Sequence, residues 1–121
     1  MVEEHLLDRG EFWLPVAPPS VAASEPSFDP GRGGRLLRRY WRGPTWINAA
    51  WMLWLGLVRL GYDEPARQMA ETLAETVLRA GLREYFDPRD GTGLGATDFA
   101  WSTLILEMAE PDLEGARRSY L

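Results

Sequence analysis

The chain has no cysteine, no lysine and a single histidine. Without cysteine there is no disulfide framework and no thiolate metal site. The one histidine, His5, stands in the acidic opening MVEEHLLDRG, a segment expected to be mobile, and is not read as a ligand. All 13 basic residues are arginine. That bias suits fixed, planar ion pairs and equally suits a GC-rich genome. No apolar run approaches the roughly 18 residues that a membrane span needs. The first residues lack the pattern of a signal peptide. Together these absences predict a soluble, cytoplasmic chain with no membrane partner. A net charge of −5 argues against a dedicated nucleic-acid binder.

What is present is aromatic. A length of 121 residues holds one small domain, and the hydrophobic fraction of 45% is that of an ordinary globular protein. Six tryptophans in so short a chain imply either a large aromatic core or a pocket walled with indoles. Residues 1–43 carry Pro15, Pro18, Pro19, Pro26 and Pro30, which break helix and predict a long loop. That loop also carries Phe12, Trp13, Val16, Val21 and Phe28, so it is a packed loop and not a linker.

Helical spacing governs residues 44–110. A first helix is predicted over 45–60, with Pro44 suited to its start and Gly61 to its C-cap. Ile47, Trp51, Trp54, Leu55 and Val58 recur at helical spacing, and Met52, Leu53 and Leu57 extend the apolar surface round most of the circumference. Such a helix requires neighbours on more than one side. A second helix is predicted over 64–80, capped by Asp63 and ended by Gly81. A third is predicted over 99–110, capped by Asp98 or Thr97, with Trp101, Leu104, Ile105 and Met108 inward. No segment reads as a strand, and the polar tail 111–121 is expected to fray. The fold class is therefore all-α: about three main helices with long loops, and too few of them to cover the first.

Three stretches carry chemistry. In YWRGPTW (residues 40–46), two indoles, a phenol and a guanidinium fall within one turn-like segment. Indole faces stack on sugar C–H faces, and arginine grips carboxylates in a fork. The alternative is a helix start packed by aromatics. In GRGGRLLRRYWR (31–42), arginines interleave with aromatics as in single-strand binders, but the acidic total favours ion pairing instead. In REYFDPRDGTGLGATDFAWS (83–102), Glu84 sits between a helix cap and two aromatics. A carboxylate in such surroundings suits general acid–base work; the alternative is an exposed acid paired with Arg83 or Arg89. DGTGLG lacks the strand and the Lys-Ser/Thr of a phosphate loop, and Asp87 and Asp90 do not have calcium-loop spacing. No metal and no cofactor are expected.

The ordered run of FWLPVAPPSVAASEPSFDP, YWRGPTWINAAWMLWLGL and REYFDPRDGTGLGATDFAWS resembles the C-terminal part of glycoside hydrolase family 63, in its mannosylglycerate hydrolase-like branch. The resemblance runs from about Phe12 to Met108. It implies part of an (α/α)6 barrel and hydrolysis of an α-glycosidic bond with inversion. It implies that Glu84 is the general base, and that Tyr40, Trp41 and Trp46 wall the sugar subsite. Trp101 matches the segment that closes the pocket, with Ala100 where the family commonly has serine. Arg42 is a further ligand-binding candidate, through a carboxylate on the substrate or through support of its loop.

The family's general acid is an aspartate on an earlier helix, and none of Asp8, Asp29 or Asp63 has a matching context. The resemblance therefore implies a C-terminal fragment of an inverting α-glycosidase, incomplete and inactive alone, with a small sugar or glycoside as ligand. Exposed apolar helix faces would favour self-association or an N-terminal barrel portion supplied in trans. Two other readings stand beside it: a subunit of a split enzyme, and a non-catalytic sugar-binding or interaction piece.

Overall fold

The computed structural model describes residues 1–31, 41–109 and 112–120. A short π-helical turn, Val2–Leu6, leads into the proline-rich segment. That segment is stitched to the body by backbone: the Val16 N–H donates to Pro88 O at 2.8 Å, and the Ser20 N–H to Pro44 O at 3.0 Å. The Thr45 hydroxyl donates to Val16 O at 2.6 Å. Val16, Ala17, Pro18 and Pro19 are buried, as a packed loop requires.

The first helix, α1, spans Ile47–Leu60 and ends at Gly61 in the left-handed conformation. It begins two residues later than predicted. Thr45 cannot join it, because both its N–H and its carbonyl are bonded to Phe86, each at 2.9 Å. Ile47, Ala50, Trp54, Leu57 and Val58 form the inward stripe. On the other side Met52, Leu53 and Leu60 are exposed.

The second helix, α2, spans Asp63–Ala80, buries Ala66, Met69, Ala70 and Leu73 in the core it shares with α1, and buries Thr76 beside Gly91. Asp63 is not its cap; Tyr62 holds that position, and the Asp63 carboxylate is bonded instead by Arg117.

The chain then forms a miniature hairpin, contrary to the expectation of no strand. Tyr85–Phe86 (β1) pairs antiparallel with Gly93–Leu94 (β2), Tyr85 opposite Leu94 and Phe86 opposite Gly93. Thr45 bridges Phe86 on the outer side of β1, and Pro19 bridges Thr45. The turn is closed by the buried Asp87, whose carboxylate accepts from the Arg89 backbone and guanidinium at 2.7–3.0 Å.

The predicted third helix is split. Ala100–Leu104 is 3₁₀, and Ile105–Met108 (α3) is α-helical; Phe99 precedes them with no side-chain cap. A 3₁₀ turn repeats every three residues. The inward face accordingly runs through Ser102, Ile105 and Met108, and Trp101, expected inside, is exposed. The tail does not fray either. Leu113–Tyr120 forms α4, with Leu113 and Ala116 buried. Arg117 anchors it, donating to Val58 O of α1 at 2.9 Å and pairing with Asp63 and Glu114. Among the described residues no helix is long and apolar enough to cross a membrane.

Candidate active site

The Thr45–Phe86 bridge places two otherwise separate segments edge to edge. Trp46 follows Thr45, and Tyr85 precedes Phe86, so their rings meet at a centroid distance of 4.8 Å. Trp41 stacks on the same group, 3.9 Å from Trp46 with 18° between planes. The result is a three-ring wall with Trp46 buried at 1% exposure and Trp41 open at 46%. Gly43, between Trp41 and Trp46, lets the Asp29 backbone come close: its φ is +152°, and a Cβ there would meet Asp29 at 2.8 Å. The Asp29 N–H donates to Arg42 O, which ties down the strand leading to the wall.

Glu84 stands at the edge of that wall, beside Tyr85. It is half-buried and paired with neither Arg83 nor Arg89. Arg89 is engaged by Asp87, and the Arg83 guanidinium donates to Gly95 O at 3.0 Å. The Glu84 carboxylate instead accepts from the Ala96 N–H through Oε2, at 2.9 Å. The Glu84 N–H returns a bond to Ala96 O, also 2.9 Å. One carboxylate oxygen is thus held by a neutral backbone donor, which fixes a carboxylate without neutralising it.

The other predicted positions divide. Trp101 lies two residues from Phe99, and its ring packs edge-on to it at 5.4 Å, not on the three-ring wall. It is 47% exposed and reaches the Glu84 region through its neighbour Ser102, whose hydroxyl donates to Arg83 O. Arg42, next to Trp41 in sequence, is exposed. Tyr40 lies outside the described residues, as do Arg32, Arg35, Arg38 and Arg39. Among the described residues no three His, Asp or Glu side chains converge as a metal site would require.

Sequence reading missed Thr45, Gly95, Ala96 and Ser102. Only the glycine run hinted at a fold-back here. Among the described residues, cavities of about 210 and 240 Å³ lie elsewhere. One is lined by Trp13 and Met69, the other by Trp54 and Met108, and neither touches Glu84. Among the described residues the outer side of the wall, at Trp41, is open to solvent.

Residues 1–102 match the sequence profile described as the mannosylglycerate hydrolase MGH1-like glycoside hydrolase domain. The chain belongs to this glycoside hydrolase family. Its relatives include a mannosylglycerate hydrolase of Rubrobacter radiotolerans, 43% identical over 68 residues, or 56% of this chain and 15% of that protein. The mannosylglycerate hydrolase of Thermus thermophilus is 39% identical over 87 residues, covering 72% of this chain and 19% of its own. A crystal structure of a family 63 mannosylglycerate hydrolase from Thermus thermophilus in complex with glucose superposes with a TM-score of 0.63, at 39% identity over 74% of this chain and 21% of that one. The same enzyme has been solved in complex with Tris and D-glycerate. The all-α expectation and the family resemblance are both borne out. The chain spans about a fifth of the length of these Thermus relatives.

Tyr85 carries a titratable signature of this packing. Burial first, and the adjacent Glu84 carboxylate second, raise its phenol above the ordinary value of 10.0. The folded state then holds this proton more tightly than the unfolded chain does. The contribution is fully present below the unfolded value and is lost as pH rises from there through the raised folded value. Thermal melts in alkaline buffers should show this loss, and Tyr85→Phe should flatten that part of the profile. An identical alkaline profile in the variant would contradict the assigned surroundings of Tyr85.

Proposed function

We propose that this chain supplies the base-carrying part of an inverting α-glycosidase site, with mannosylglycerate as the leading substrate. The observation that carries the reading is the Glu84 carboxylate, anchored by the Ala96 N–H beside a wall of Trp46, Trp41 and Tyr85. Indole faces suit the apolar face of a pyranose. In the reaction, Glu84 takes a proton from water as the water oxygen bonds to the anomeric carbon. The bond from that carbon to the glycosidic oxygen breaks, and a second carboxyl group protonates the departing oxygen. The two carboxyls of an inverting pair stand about 6.5–9.5 Å apart to admit the water.

The second carboxyl is not assigned to this chain. Asp8 bonds the Gly10 N–H, Asp29 the Gly31 N–H, and Asp63 pairs with Arg117. In this proposal the acid comes from other helices of an (α/α)6 barrel, which also roof the open wall. Arg42 and Trp101, both exposed, are the candidates to meet the aglycone and the roof. A glycerate carboxylate suits a guanidinium.

The exposed stripe of Met52, Leu53 and Leu60 on α1, with Leu106 on α3, supports the same idea. These side chains form apolar surface that barrel neighbours would cover. Left uncovered, such surface drives association. Sedimentation velocity of the 121-residue chain alone should show concentration-dependent self-association. A monomer at all concentrations would count against an open barrel face.

The catalytic assignment is tested in a hybrid: the matching stretch of the Thermus thermophilus hydrolase is replaced by this chain. Hydrolysis of mannosylglycerate is expected, and Glu84→Gln should lower kcat by roughly 10²–10⁴-fold, the usual worth of a general base. Undiminished turnover by Glu84→Gln would remove Glu84 from the mechanism.

A further inference from the structure

We infer that Glu84 takes the proton through one defined oxygen, Oε1, and that Ser102 and Gly95 are the positioning residues that keep it so. The inference rests on Glu84 being the base. Its carboxylate has two oxygens, and the structure treats them differently. Oε2 accepts the Ala96 N–H at 2.9 Å. A hydrogen bond to the charged form favours that form, so the bonded oxygen is the poorer proton acceptor of the two. Oε1 is left for the water.

What sets the direction of Oε1 is the peptide unit between Arg83 and Glu84. Both of its polar groups are held. The carbonyl of Arg83 accepts the Ser102 hydroxyl, and the N–H of Glu84 donates to Ala96 O at 2.9 Å. Two hydrogen bonds on opposite sides fix the plane of this peptide, and the plane fixes where the Glu84 Cβ points. Ser102 is 1% exposed, so water cannot replace its hydroxyl without opening the packing. Its backbone is placed by the 3₁₀ segment, with the Ser102 N–H donating to Phe99 O at 3.0 Å and the Phe99 N–H to Leu82 O at 2.9 Å. Arg83 closes the circuit from its other end by donating to Gly95 O.

Gly95 answers a separate need. Its φ is +68°, in the left-handed region that side chains rarely adopt. A Cβ there would meet Tyr85 Cε1 at 2.6 Å and Glu84 Cβ at 2.8 Å, and would also strike Oε2. Glycine is required so that the Ala96 amide can come within hydrogen-bonding reach of the carboxylate. A sulfur, hydroxyl or methyl group on this residue would push the anchoring donor away.

These roles differ from mere support of the fold, and the test separates them. In the 121-residue chain, Glu84→Gln should produce a clear movement of the Ala96 amide resonance, because it replaces the charged acceptor of that N–H. Ser102→Ala should shrink it, while Ser102→Thr, which keeps the hydroxyl, should preserve it. In the hybrid hydrolase, Ser102→Ala should lower kcat by roughly 10–100-fold, the cost of a small misplacement of a reacting group, with KM nearly unchanged. Ser102→Thr should restore kcat, and Gly95→Ala should reproduce the loss.

If Ser102→Ala does not fold, Ser102→Cys carries the same comparison with a weaker donor, and its kcat should fall between those of Ser102→Thr and Gly95→Ala. An Ala96 amide unmoved by Glu84→Gln overturns the inference. So does full kcat in a folded Ser102→Ala or Ser102→Cys variant while Glu84→Gln is inactive, in which case the base assignment survives without its positioning residues. Turnover retained by Glu84→Gln defeats the base assignment itself.

Discussion

Two backbone hydrogen bonds between Thr45 and Phe86, each 2.9 Å long, set the geometry of the candidate site. They join a segment that opens a helix to a segment that follows one. Each bond is ordinary in strength, worth about 0.5–1.5 kcal/mol net. Their effect is geometric. They stop α1 from starting early, set Trp46 against Tyr85, and leave Glu84 two residues from the bridge. The Thr45 hydroxyl carries the same tie on to Val16, so the proline-rich loop is drawn into the same corner. Packing residues and chemical residues are neighbours here because one bridge orders both.

The corner is built asymmetrically. Below it lies a closed core of Trp54, Leu57, Met69, Leu73 and Met108, all nearly inaccessible. Trp41 in the wall is open to solvent, as are Met52, Leu53 and Leu60 of α1 and Leu106 of α3. Glu84 lies between these two environments. Its backbone is hydrogen-bonded through Ala96 and Ser102, and one oxygen of its carboxylate is held by Ala96. The role proposed for Glu84 needs this combination, because a carboxylate that moves freely cannot hold a water in line with an anomeric carbon.

Much of this was legible in the residues. The spans of α1 and α2 follow from apolar spacing and from Gly61 and Gly81. The family resemblance pointed to Trp41, Trp46 and Glu84, and the structure brings Trp41 and Trp46 together with Tyr85 at the edge where Glu84 stands. The failures share a cause. The β1–β2 hairpin has two residues per strand, too few for any alternation to register. The split of the third helix moved its inward face from Trp101 to Ser102, because a change from 3.6 to three residues per turn leaves little trace in so short a segment. α4 is anchored by Arg117 to a carbonyl of α1 that lies 59 residues away in sequence. The donor that anchors Glu84 is a main-chain N–H, which no residue type announces. Gly95 was visible as a glycine, but its reason was not, since that lies in the two side chains it avoids.

Glu84 as a base that delivers water, and not as a nucleophile that attacks the sugar, makes a direct prediction about stereochemistry. Proton NMR of the first product formed from mannosylglycerate by the hybrid hydrolase reads it before mutarotation mixes the anomers. Release of β-mannose first is the result expected when water enters opposite the departing glycerate. Release of α-mannose first would mean a covalent glycosyl-enzyme intermediate and would contradict the role given to Glu84.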